Sequence, residues 1–219
     1  MKATWLGHAA WELDGSRRIY IDPFLDENPK ASKKAKDVTK ADVVVVSHDH
    51  FDHVADAVPI CKRTGATLVA TYDLAVSLAE KHGIKAEGMN IGGTMTVEGV
   101  EVSLVLAFHT AEKGHPTGTV IRLDGKTIYH AGDTCLFGDM KIIGEFFAPI
   151  DLALIPIGDR FTMGPPSAAK AVEWLRPRRV VPMHYDTWPP IAQDPRRFKE
   201  LVGDRSEVVI LEPGQSIEV

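Results

Sequence analysis

The segment Ser47–His53, SHDHFDH, places three histidines and two aspartates in seven residues. Neutral imidazole is the commonest protein ligand for Zn²⁺ and related ions. In extended backbone, residues two apart point the same way, so His48 and His50 can face one ion. Asp52 and His53 follow as the chain turns toward a helix expected from Val54, and the turn aims them in another direction. One short segment thereby offers donors to two neighbouring cations. Without a shared cation, three imidazoles and a carboxylate packed together would be costly to desolvate.

Two ions need further donors, and His109, Asp133 and His184 are the candidates. A carboxylate can bridge two cations, whereas a neutral imidazole offers one free lone pair. The expected arrangement puts His48, His50 and His109 on the first ion and Asp52, His53 and His184 on the second, with Asp133 between them. Two divalent ions about 3.5–4 Å apart can share and deprotonate a water, giving a bridging hydroxide that attacks a carbonyl or phosphorus. The ions also stabilise the negative charge that develops on oxygen. Asp52 and Asp133 are therefore the candidate catalytic carboxylates. Two divalent ions offset by two aspartates and one hydroxide leave a charge of about +1, compatible with an anionic substrate.

Other polar residues carry weaker expectations. His8, His115 and Arg160 form the candidate substrate-binding set, with His8 and His115 open between substrate contact and a structural role. Lys113 reads as an exposed cation. Asp22, ending an apolar run just before Pro23, is the first candidate to orient a metal-binding imidazole, ahead of Asp49 and Asp186. His82 sits at a helix end, where a cation suits the dipole, and His130 reads as a core residue or a support for the ligands.

The elements that must position these groups are legible as short β-branched runs ended by breakers. They are Lys2–Leu6, Arg18–Ile21, Asp42–Val46, Val100–Phe108, Thr127–His130, Leu152–Ile157, Val180–Met183 and Val208–Leu211. Helices are expected over Val54–Thr64, Leu74–His82, Ser167–Leu175 and Arg196–Val202, each with a start or stop residue. Strands followed by helices in the first and last thirds, with hairpin-like pairs between, predict packed α and β layers. His8, Asp22, His48, His109, Asp133 and His184 each follow an apolar run. In open α/β sheets, ligands bind outside the carboxyl ends of the strands. The lysine-bearing stretch from Asn28 to Lys40 is expected to be a solvated loop.

Composition narrows the classes. The chain has 219 residues, a net charge of −5, 44% hydrophobic and 25% charged residues, ordinary for a globular protein. The acidic balance argues against a general nucleic-acid binder. No segment approaches the ~20 apolar residues of a membrane span. Two cysteines and no leader-like N-terminus point to a reducing, cytoplasmic setting. The partner expected is a small-molecule substrate, with a homo-oligomer left open.

The run His48-Asp49-His50-Phe51-Asp52-His53 after a β-branched strand resembles the H-x-H-x-D-H signature of the metallo-β-lactamase superfamily. The likeness continues through His109, Asp133 in AGDT and His184 in PMHY, and so spans essentially the whole chain. The segments LGHAAW, IDPFL and IPIGDRFTMGP are similar to the branch of metal-dependent hydrolases related to ascorbate-6-phosphate lactonases. The resemblance implies a four-layer α/β fold, the αββα sandwich, over residues 1–219 as one domain, with the metal site at one edge. It implies hydrolysis of a small ester, lactone or phosphoester. His50 in place of Glu argues against the flavo-diiron type, and Asp52 and Asp133 together against zinc β-lactamases, which usually carry Cys at the later position. Cys135 is read as packing near the site. The rival readings are a small-molecule phosphodiesterase or nuclease and an iron-dependent persulfide-type oxygenase. Zn²⁺ leads as the metal, with Mn²⁺, Fe²⁺ and Ni²⁺ open because cellular supply partly decides loading.

Overall fold

The computed structural model describes residues 1–219. The first half of the chain supplies β1 (Lys2–Gly7), β2 (Ala10–Asp14), β3 (Arg18–Ile21), β4 (Val43–Val45), β5 (Thr67–Thr71) and β6 (Ala86–Met89). The second supplies β7 (Thr94–Val97), β8 (Val100–Leu106), β9 (Thr117–Leu123), β10 (Lys126–His130), β11 (Leu152–Pro156), β12 (Arg179–Met183) and β13 (Glu207–Val208). These six and seven strands form separate sheets, each lined up in chain order. The last strand, β14 (Ser216–Glu218), returns to the first sheet and pairs antiparallel with β1. Both sheets begin as antiparallel meanders and continue as parallel ladders, from β3 to β6 and from β10 to β13.

Helices connect the parallel strands from β4 onward in the first sheet and from β10 onward in the second, the usual crossover for parallel pairs. They are α1 (Phe51–Val54), α2 (Ala57–Thr64) and α3 (Tyr72–His82) on the first sheet, and α4 (Met140–Phe146), α5 (Pro165–Leu175) and α6 (Pro195–Val202) on the second. Alternation along each strand divides the side chains between layers. In β3 and β4, Ile19, Ile21, Val43 and Val45 join the large central core. Tyr20, Val44 and Val46 face the other way, onto Ala57 and Ile60 of α2 and Leu74 of α3. With both faces covered, β4 reads as an unbroken apolar run instead of an alternating one. The result is two mixed sheets flanked by helices, the expected αββα sandwich.

The strand directions explain why the polar groups converge. Each antiparallel step reverses direction, so β1, β3, β4 and β5 run one way in the first sheet, and β8, β10, β11 and β12 share a direction in the second. His8, Asp22, His48, His109, Asp133 and His184 all lie just past the carboxyl ends of these strands.

Three expectations need correction. The helix expected from Val54 starts at Phe51, so Asp52 and His53 lie in its first turn. It breaks before Ala57, where the Asp56 carboxylate accepts the backbone N–H of Leu25 at 2.6 Å and of Asp26 at 3.1 Å. The stretch from Asn28 to Lys40 is docked, not wholly solvated. Ala35 and Val38 are buried, and the Arg63 guanidinium donates to the carbonyls of both. The final expected strand, Val208–Leu211, contracts to Glu207–Val208. No helix is long and apolar enough to cross a membrane.

Gly144 shows how closely α4 and α5 approach. A Cβ there would lie 2.5 Å from the Trp174 carbonyl oxygen and 2.7 Å from the Leu175 Cα. Alanine in a helix interior is normally worth about 1 kcal/mol over glycine. Overpacking against backbone costs about 1–3 kcal/mol, so the clash wins. Gly144→Ala is expected to destabilise the fold by up to about 2 kcal/mol, read from the urea midpoint.

Candidate metal centre

The centre starts from a carboxylate with no access to water. Asp22, fully buried at the end of β3, accepts from the Ser47 backbone N–H at 2.7 Å, the Ser47 hydroxyl at 2.6 Å and His53 Nδ1 at 2.8 Å. These donors satisfy a charge that would otherwise be expensive to bury. They also decide the His53 tautomer: a carboxylate only accepts, so Nδ1 carries the proton and Nε2 is turned the other way. Ser47 Oγ lies 3.0 Å from His48 Nδ1 as well. Asp22 thus holds Ser47 and the His53 ring, and Ser47 joins it as a residue whose part depends on tertiary contacts.

Three groups of donors lie together. His48, His50 and His109 form one, and His8, Asp52, His53 and His184 a second. Asp133 falls in a third with His48 and His53. Its Oδ2 lies 3.3 Å from His53 Nε2, 3.7 Å from His109 Nε2 and 3.0 Å from His184 Nε2. All seven expected ligands are therefore brought to one place, with Asp133 in reach of rings from both sets.

The residues fit a metal. His53 Nε2, both ring nitrogens of His184 and Asp133 Oδ1 are buried with no aligned hydrogen-bond partner. His53 Nε2 and His184 Nε2 lie 3.3 and 3.0 Å from Asp133 Oδ2, yet neither is aimed to bond it. Buried donor atoms gathered without hydrogen-bond partners are what a cation site offers. Buried polar atoms left in this state need an explanation, and a bound cation supplies it.

Electrostatics leave some of these donors neutral and hold others charged. Burial, reinforced by neighbouring His53, lowers His48 to about 3, so its imidazole is neutral and able to bind. Burial also lowers His109. Burial opposes a charge on His53, but Asp133 and Asp22 outweigh it and hold this ring protonated well above the usual histidine range. Burial would raise Asp133 too, yet His184 and His53 keep it well below the usual carboxylate range. The same contest, with the His8 hydrogen bond as the main opposing influence, depresses Asp52.

His8 departs from the substrate-contact expectation. Its Nε2 donates to Asp52 Oδ2 at 3.1 Å and its Nδ1 lies 2.7 Å from the Thr187 hydroxyl. Burial and the adjacent His184 lower it to about 3, so the ring is neutral. With both nitrogens engaged and the side chain buried, it positions the Asp52 carboxylate. His130 is likewise a clamp: Nε2 donates to the Ala9 carbonyl at 3.0 Å and Nδ1 accepts from Gly132 N–H at 3.1 Å. It thus joins the turn carrying His8 to the turn carrying Asp133. Gly132 itself has φ +61, and a Cβ there would meet the Thr117 carbonyl at 2.3 Å.

Asp49, a lesser candidate from sequence, accepts the backbone N–H of Glu112 at 3.0 Å and of Lys113 at 2.8 Å. It pins the loop that carries His109. Lys113 turns its Nζ to Ser77, and Asp186 accepts the Gln193 N–H. His115 is exposed on the same loop as Lys113, and Arg160 is exposed on the loop after β11. Neither makes a side-chain hydrogen bond to the donor cluster. Cys135 is exposed and outside the donor groups.

Known proteins are similar to this chain in sequence and in fold. A model of the "Beta-lactamase superfamily domain" matches residues 17–185. The UPF0173 metal-dependent hydrolases of Thermococcus kodakarensis and Pyrococcus furiosus are each 53% identical over 225 residues, covering 100% of both chains. The solved structure of Igni18, a metallo hydrolase from Ignicoccus hospitalis, superposes with a TM-score of 0.93 at 41% identity, covering 99% of this chain and 97% of its own. The chain belongs to the β-lactamase superfamily. Within that superfamily it is a metal-dependent hydrolase, like its full-length relatives.

Two outcomes follow from this geometry. A metal taken up at His53 Nε2 would displace the proton held there, so binding at neutral pH should release about one proton from that ring. Affinity should therefore rise with pH, and calorimetry in buffers of different ionisation heat reads the proton count directly. Asp22→Asn should keep the fold but weaken metal affinity by about 10–100-fold, measured by chelator competition.

Proposed function

We propose that the centre is dinuclear and cleaves a small ester, lactone or phosphoester. His48, His50 and His109 would hold one divalent ion, and Asp52, His53 and His184 the other, with Asp133 shared. When bound, such ions supply Lewis acidity and lower the pKa of a water so that it attacks at neutral pH. Zn²⁺ suits the histidine-rich donor set, and Mn²⁺, Fe²⁺ or Ni²⁺ would fit the same nitrogen and oxygen donors.

The single observation carrying this reading is the position of Asp133 Oδ2, within 3.0–3.7 Å of rings belonging to both donor sets. The chain's own residues then have separable tasks. Asp22 fixes the direction of His53, and His8 fixes that of Asp52. Asp49 holds the His109 loop against the SHDHFDH segment. Asp133, kept anionic by its histidine neighbours, offsets the positive charge gathered between the two donor sets.

Ester and lactone cleavage stand ahead of nucleic-acid cleavage, because the chain carries a net charge of −5. A basic face to track a phosphate backbone is the footprint a nuclease would need.

Elemental analysis of native protein should return two metal ions per chain. Asp133→Asn should lose at least one of them and about 100-fold or more in kcat on whichever ester or lactone the wild type turns over. Full occupancy and turnover in that variant would remove the sharing role given to Asp133.

A further inference from the structure

Six large hydrophobic side chains are strongly exposed, and four of them lie past the carboxyl ends of β4, β5, β8 and β11, the same ends of the two sheets that carry the donor residues. Single exposed apolar residues are ordinary; their concentration around one site is not. Phe51, 59% exposed, lies between the metal-ligand candidates His50 and Asp52. Phe108, 54% exposed, immediately precedes His109. Phe161, 55% exposed, is on the loop after β11, and Tyr72 opens α3 directly after β5.

These rings are held in place. Phe51 packs edge-on to the fully buried Phe24 at 5.6 Å between centroids and lies 6.0 Å from Trp188. Trp188 is 5.9 Å from Phe24 and 5.1 Å from His8, the ring that positions Asp52. Phe24 therefore backs a wall whose outer members, Phe51 and Trp188, reach the surface beside Asp52. On the other side, Phe108 is fastened to the Asp133 turn. Its N–H donates to Thr134 Oγ1 at 3.0 Å, its carbonyl accepts from Cys135 N–H at 3.2 Å, and its ring packs 5.1 Å from Phe137. The loop bearing Phe161 is tied to the same turn through Met163 N–H and the Thr134 carbonyl at 2.9 Å.

The exposed cations of these loops are two, Lys113 and Arg160, and the acids Asp73, Glu112 and Asp159 lie exposed beside them. Lys113 is turned to Ser77. The Arg160 guanidinium lies 5.5 Å over the Phe161 ring and has no carboxylate partner. A substrate recognised mainly by charge would call for a cluster of cations beside the ligands, and here rings occupy that position.

We propose that the Phe51–Trp188 wall is a substrate subsite for an apolar group, a medium-length alkyl chain or an aryl ring attached to the carbonyl that is cleaved. This rests on the reading of the centre as an ester or lactone hydrolase. It names the feature that selects among such substrates, in place of an anionic handle. A rigid aromatic wall gains affinity from each methylene it covers, by up to about fourfold per group.

The test separates binding from turnover. Calorimetry of Zn²⁺-loaded protein with acetate and with hexanoate, both product-type carboxylates, should show hexanoate binding about tenfold or more tightly. Phe51→Ala and Trp188→Ala should shrink that ratio to about threefold or less without lowering metal content. Phe146→Ala, an exposed ring on α4, should leave the ratio unchanged. With 4-nitrophenyl acetate and hexanoate, kcat/KM should favour the longer ester in wild type and lose that preference in the two wall variants. If the affinity ratio holds while neither ester is cleaved, ester hydrolysis is lost as the activity and the apolar subsite stands. Equal affinity for acetate and hexanoate overturns the subsite. So does a concentration-dependent dimer, seen by light scattering and abolished by Phe51→Ala, because a second copy would then occupy the wall.

Discussion

A carboxylate sealed from solvent at the end of β3 organises this molecule. Asp22 cannot be satisfied by water, so it recruits three donors from the segment after β4, and in doing so sets the direction of His53. The opposite nitrogen of His53 is left facing Asp133, 3.3 Å away. Acid, imidazole and acid thus form a line from the first sheet to the second. Removing the first member would strand the Ser47 N–H, the Ser47 hydroxyl and a ring nitrogen together. Buried groups stripped of partners each cost about 1–3 kcal/mol. The local requirement of one side chain is thereby coupled to the register between two sheets.

The backbone around the centre is held in unusual conformations to achieve this. His8, Asp22 and His184 all have positive φ, at 57°, 45° and 55°. Such conformations are uncommon outside glycine and are most tolerated by Asn, Asp and His. Each residue directly follows a strand, where the chain must turn sharply to carry its side chain inward. Surrounding hydrogen bonds hold the strained turns, as when His184 N–H donates to the His8 carbonyl at 3.0 Å. The donors are consequently arranged before any ligand arrives, which lowers the reorganisation that binding requires.

Much of this was legible in the amino-acid order, for a specific reason. Chemistry-bearing residues at the ends of β-branched runs are a local pattern, so SHDHFDH, His109, Asp133 and His184 could be picked out before any contact was known. What escaped depends on partners distant in sequence. β6 reads Ala-Glu-Gly-Met and carries no strand propensity; it is extended because it pairs with β5 and packs on α3. β14 exists through pairing with β1. The hydroxyls of Ser47 and Thr187 are ordinary in type, and only proximity to Asp22 and His8 gives them a task. Asp49 looked like one more acid in the motif, while its carboxylate serves a loop more than 60 residues later. The aromatic rim was hidden for a different reason, since an exposed phenylalanine has no sequence signature distinct from a buried one.

The seam between the sheets has a consequence of its own. Backbone and ring donors stitch across it: Thr117 N–H to the Ser47 carbonyl at 3.0 Å, His130 to Ala9 at 3.0 Å, His184 to His8 at 3.0 Å. The half ending at β6 carries His48, His50, Asp52 and His53; the half beginning at β7 carries His109, Asp133 and His184. A chain severed in the short connection between β6 and β7 would give two pieces, neither owning a complete set of donors. Cation uptake would then report the re-docking of one piece on the other, turning the bound ion into a sensor of assembly as well as an agent of chemistry.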